Sequence, residues 1–201
     1  GPITIDGDGQ VDIVSEGDST VDGPVTITDA GGQIGLDFAA TESAGGVTLA
    51  NESQVKMSLT DGSTVGSAVD IDTDSQTTVD LTGSSIEGDL NVKTQGQVKL
   101  NLTDAFIEGD VNIKTGSQVK FNLTDASIEG DVDIETESQV KFNLTDSQID
   151  GTVTIGSESQ VDVVLKSSSV TGDLTISTSS QIDVSDCSAV DGDVSPQRAC
   201  Q

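Results

Sequence analysis

A glutamine recurs through this chain in one frame. It stands at Gln10, Gln33, Gln54, Gln76, Gln97, Gln118, Gln139, Gln160 and Gln181, at spacings of 23, 21 and 22 and then five times 21 residues. Nine successive units share that frame with no linker or composition break, so residues 1–201 read as one domain. The segment SQVKFNLTD even recurs unchanged, at Ser117–Asp125 and Ser138–Asp146. A period this short leaves room for only one supersecondary unit per repeat. Such a unit buries its apolar face by stacking on its neighbours.

Each unit holds strand-like pieces. In QVKFNLTD the apolar residues alternate, as in Val119, Phe121 and Leu123, matched by Val55/Met57/Leu59, Val98/Leu100/Leu102, Val140/Phe142/Leu144 and Val161/Val163/Leu165. A second piece, SIEGDVDI, contributes Ile128, Val132 and Ile134, with relatives beginning at Ile86, Ile107, Ile149 and Val170. Period two predicts strands with one buried face. The glycine in the second piece predicts a corner, and the TD and TGS segments predict turns. Helix formers are scarce, while Thr, Val and Ile are common. The predicted fold is all-β: a parallel β-helix, or β-solenoid, of about nine coils, with a coil length suited to the right-handed class. Nine coils at one strand spacing make a rod about 43 Å long.

Stacked coils turn each sequence position into a column. The inward columns are core. The outward ones comprise the glutamine column (Gln54, Gln76, Gln97, Gln118, Gln139, Gln160 and Gln181 its regular part), lysines 56, 99, 120 and 141, asparagines 101, 122 and 143, and threonines 60, 82, 103, 124 and 145. Asp104, Asp125 and Asp146 follow at the turn. Amides stacked at strand spacing are expected to hydrogen-bond along the axis. Asn101, Asn122 and Asn143 also begin N-x-T sequons, and Asn51-Glu-Ser is a fourth, so all four are candidate glycosylation sites in a secreted chain. Glycans on every coil would crowd at about 4.8 Å.

The formal charge is −27, from 35 acidic and 8 basic residues. A surface of that sign repels nucleic acid and anionic membranes, leaving cations, basic proteins or further copies of the chain as partners. Glu87, Glu108, Glu129 and Asp150 form one acidic column, and Asp89, Asp110, Asp131 and Asp173 lie beside it. Like charges about 5 Å apart repel by about 0.8 kcal/mol per pair in water. Such columns sit in solvent or recruit cations, and Glu108, Asp110, Glu129 and Asp131 are the candidate ligands for an ion such as calcium. Calcium needs six to eight converging oxygens, and the GGxGxDxUx calcium repeat is missing from this sequence.

No enzyme site is expected and no cofactor. The sequence has no histidine and a single arginine, Arg198. Its carboxylates recur on every coil, whereas a catalytic site breaks a repeat locally. No apolar run approaches the ~20 residues that span a bilayer, so membrane insertion is not expected. Gly1-Pro2-Ile3-Thr4-Ile5 matches Gly23-Pro24-Val25-Thr26-Ile27, and the chain is expected to enter in mid-coil. Residues 186–201 are expected to form a capping tail in which Pro196 ends the last strand and Cys187 pairs with Cys200. A disulfide there favours an oxidising, extracellular compartment.

The IxGDVxI element, at Ile107-Glu-Gly-Asp-Val-Asn-Ile113, Ile128 to Ile134 and more loosely Ile86 to Val92, resembles the β-helical units of bactofilins, polymer-forming bacterial scaffold proteins. The resemblance covers roughly half of each coil and implies that such coils can polymerise end to end. The cysteines, sequons and acidity depart from those cytoplasmic proteins. The expected function is structural: a secreted subunit of a cell-surface filament, sheath or layer. The alternative is a binding module: an adhesin stalk, an ice-binding face built on the threonine column, or a cation-binding domain.

Overall fold

The computed structural model describes residues 1–197. It shows a parallel β-solenoid with three faces. The first is a ten-stranded sheet that runs from Ile3–Asp6 through Val111–Thr115 and Val132–Thr136 to Val194–Ser195. The second is nine-stranded, from Val11–Ser15 through Val119–Thr124 to Ile182–Ser185. The third is eight-stranded and narrow, made of pieces such as Ser127–Ile128 and Gln148–Ile149. All pairs are parallel, each strand lying beside its counterparts one coil away. Ile3–Asp6 pairs with the strand of Val25.

The register shows how regular the winding is. Ile3 pairs with Val25, Val25 with Val47 and Val47 with Val69, steps of 22 residues. Val69 then pairs with Leu90 and Leu90 with Val111, steps of 21, and that step holds through Leu174. The change at the third coil lies in one corner. Asp61 and Gly62 (φ +55° and +81°) stand between Thr60 and Ser63, where the next coil has Gly83 alone and later coils have Asp104, Asp125 or Asp146. These single corner residues are left-handed, with φ from +50° to +58°. Glycine takes that conformation freely, and aspartate is among the few other residues that tolerate it.

The piece read as SIEGDVDI is two strands and a corner. Ser127–Ile128 lies on the third face, Glu129-Gly130-Asp131 makes the turn, and Val132–Thr136 lies on the first. Inward columns from the three faces fill the interior. The strand Val119–Thr124 buries Val119, Phe121 and Leu123 almost completely, and its neighbours do the same. Phe121 and Phe142 stack with centroids 4.9 Å apart and planes at 24°, a spacing set by the strand separation. Thus 33% apolar residues suffice, because nearly every one points inward.

At the C-terminal end a 3₁₀ turn, Cys187–Ala189, and the strand Val194–Ser195 replace the last coil's regular elements. Cys187 packs against the core. The expected pairing with Cys200 and the end of the 186–201 tail lie outside the described residues.

Candidate functional surfaces

The corner between third and first faces carries the Glu-Gly-Asp sequence. Asp89 Oδ1 accepts the backbone N–H of Asp110 at 2.9 Å, and Asp110 Oδ1 that of Asp131 at 2.8 Å. Asp131 serves Thr152 at 2.7 Å, and Asp173 serves Asp193 at 2.8 Å. Each carboxylate therefore caps the corresponding N–H one coil further on, the charge-assisted kind of bond. The glycine has a matching reason. A Cβ on Gly109, Gly130, Gly151 or Gly192 would fall onto Oδ1 of Asp89, Asp110, Asp131 or Asp173. Glycine and aspartate at this corner are complementary across the coil boundary.

The structure gives Asp110 and Asp131, read in the sequence as candidate cation ligands, a backbone partner of their own. Their Oδ1 atoms are committed to the backbone. Glu108 and Glu129 are exposed and do not converge with them, and among the described residues no three acidic or sulfur side chains gather in one place. Hydrogen bonding to the frame holds the aspartates of the column one coil apart.

The second face presents the glutamine, lysine, asparagine and threonine columns side by side. Gln33 Nε2 donates to Gln54 Oε1 at 2.6 Å and Gln54 to Gln76 at 3.2 Å; a second, longer run links Gln97, Gln118 and Gln139 at 3.4 and 3.5 Å. Gln160 and Gln181 continue the position, but no amide-to-amide bond joins them to it among the described residues. The asparagines bond more tightly and in the opposite sense. Asn143 Nδ2 donates to Asn122 Oδ1 at 2.9 Å, Asn122 to Asn101 at 2.8 Å, and Asn101 to the carboxylate of Asp80. A carboxylate only accepts, so Asp80 forces Asn101 to donate and sets the direction of the whole row. The first face repeats the device: Asn112 donates to Asn91 and Asn91 to Asp70, each at 2.9 Å.

Three of the four sequon asparagines, Asn101, Asn122 and Asn143, are thus ladder members. The Nδ2 that a glycan would join is a hydrogen-bond donor in Asn101, Asn122 and Asn143, and in Asn51, where it donates to the Gly32 carbonyl at 2.9 Å. The expected outward threonine column, such as Thr103, Thr124 and Thr145, is present and half-buried. A stronger hydroxyl column lies elsewhere, at Thr73, Thr94, Thr115, Thr136, Ser157 and Thr178. Each hydroxyl donates to a carbonyl of the preceding coil's corner (Thr136 to Ser117) and accepts the N–H two residues on, as from Ser138 at 3.1 Å. In the sequence these positions stand three residues before the glutamines, but Thr suits strands so generally that the letters do not show its burial.

Charge is distributed unevenly. Lys93 pairs with Asp72 and Lys114 with Glu135, both at 2.7 Å on the exposed first face. The hydrogen bond to Asp72, and then its charge, hold the Lys93 ammonium above its ordinary pKa. These pairs line a depression of about 390 Å³ together with Asn91 and Asn112. Its lining belongs to the repeating columns, so it interrupts nothing. On the second face Lys99, Lys120 and Lys141 stack in register with no ion-pair partner among the described residues.

Among the described residues no helix is long and apolar enough to cross a membrane. No protein-family model matches the chain, and no curated protein or solved structure matches it either. The likeness to bactofilin units gains no support from these comparisons.

Proposed function

We propose that this chain is a structural, non-catalytic protein whose rods join end to end by coil stacking, in an extracellular filament, sheath or layer. The observation that carries the reading is the interchangeability of the coils: Val119, Phe121 and Leu123 stack in register on Val140, Phe142 and Leu144, so a coil of one copy can accept the coil of another as its neighbour. Contact of one end with the other is heterologous and does not close, which is the symmetry of a fibre. The acidic surface and the cysteines fit a salty, oxidising exterior. Electron microscopy of concentrated protein across a salt series tests this: fibres one rod wide support it, and short separate particles in every condition reject it.

A further inference from the structure

Lys99, Lys120 and Lys141 form a cationic stripe on a chain of net charge −27. They are exposed, successive in register, and flanked by the glutamine and asparagine ladders, so no carboxylate shares their coils' outward second-face row. Five of the seven lysines (residues 56, 99, 120, 141 and 166) lie on this face. The other two are paired with Asp72 and Glu135.

An acidic stripe has the same geometry elsewhere. Glu108, Glu129 and Asp150 occupy successive coils at the corner between third and first faces, and all three are exposed. With three faces, this corner is the one the second face does not touch, so it lies across the rod from the lysines. The coils match as well. Lys99 shares its coil with Glu108, Lys120 with Glu129 and Lys141 with Asp150. In the next coil the face carries Asp162 and the corner carries the neutral Thr171. The match is three pairs long: the coil of Lys56 has Gly66 at the corner, and Glu87 faces Thr78's coil.

We infer that a second copy of this chain docks sideways on the lysine face, seating its Glu108–Glu129–Asp150 ridge on Lys99, Lys120 and Lys141. Both stripes step by one coil per charge, so their pitches agree without adjustment, and three opposite-charge contacts form at once. A copy displaced sideways, with its axis parallel, brings ridge to face by translation alone. The contact then repeats from copy to copy and makes a row of rods. This association does not depend on end-to-end stacking, and salt separates the two. Sideways docking needs enough salt to screen the overall repulsion but little enough to keep contact pairs. It is expected to peak near 0.1–0.2 M, where the Debye length is about 7–10 Å, and to fail near 1 M, where it is about 3 Å. End stacking strengthens continuously with salt.

Sedimentation of the purified chain over that salt range is the test, with two triple variants checked for folding by circular dichroism. Lys99→Glu/Lys120→Glu/Lys141→Glu and Glu108→Lys/Glu129→Lys/Asp150→Lys are each expected to sediment as single rods when alone at intermediate salt. Mixed together they are expected to associate, because each then meets the opposite sign. Association that rises through 1 M salt and is unchanged in both variants overturns the inference and leaves only end stacking. A chain that stays single at intermediate salt, yet is retained on polygalacturonate unless its three lysines are reversed, also overturns it, in favour of an acidic polysaccharide on this face.

Discussion

Asp110 accepts the backbone N–H of Asp131 through Oδ1 at 2.8 Å, while the same carboxylate fills the space where a side chain on Gly130 would begin. One residue thereby explains two features of its neighbour coil. The aspartate holds the corner closed, and the corner admits only glycine beside it. Gly130→Ala is therefore expected to lower stability by about 1–3 kcal/mol, the usual range for overpacking. The Gly109 backbone also crowds that point, so adding Asp110→Ala restores only part of the loss. Urea unfolding of the single and double variants reads both effects; an unchanged midpoint for Gly130→Ala would falsify the reciprocal packing.

The inner hydroxyl column makes a sharper comparison. Thr136→Val keeps the shape but removes a donor to Ser117 and an acceptor for Ser138, and is expected to cost about 1–3 kcal/mol for buried groups left unpaired. Thr136→Ser keeps both bonds, and the next coil already carries Ser157 in the role. Thermal melts of the two variants should therefore separate by several degrees, with the serine variant close to the parent.

Thr77 makes the opposite case. It interrupts an inward valine column, between Val55 and Val98, and its hydroxyl is buried with no hydrogen-bond partner among the described residues. Thr77→Val removes an unsatisfied polar group without changing volume. Stability is expected to rise by about 1 kcal/mol. A lower unfolding midpoint would show that the hydroxyl has a use the structure does not reveal.

Asn122→Asp tests the direction of the asparagine row. The new carboxylate can accept from Asn143 but cannot donate to Asn101, so lone pairs oppose one another there. The charged form is disfavoured in the fold, and the folded pKa lies above the ordinary value of about 3.9. The sign follows: the penalty is absent below that value, appears as pH rises through the window up to the folded pKa, and is complete above it. Denaturant midpoints at acid and neutral pH, compared with the parent chain, should show the gap opening only on the neutral side.

Much of this was legible beforehand, for physical reasons that differ by residue. The solenoid followed from period two inside period 21, because Val119, Phe121 and Leu123 can share one side only in a strand and can all be buried only under another coil. The amide rows followed from the same stacking. The role of Asp110 did not follow, because a recurring carboxylate in sequence looks like a row of repelling charges. Its partner is a backbone N–H, which no side-chain pattern announces. Asp80 and Asp70 were missed for a related reason: each stands one coil before an asparagine, where the pattern changes letter, so only the register shows that they terminate a row. Thr136 was hidden by its own suitability for any strand.

The extra residue at Asp61-Gly62 has a consequence for how the chain finds its winding. The segments around Phe121 and Phe142 are interchangeable, so pairing one coil out of step, or with another molecule's coil, keeps almost every contact in the middle of the rod. A slip of 21 residues does not fit across the corner that carries 22. That corner, like the register shift between Ile27 and Ala30, is a place where the winding keeps count, and deleting Gly62 would remove one of the marks that distinguish a correct start from a shifted one.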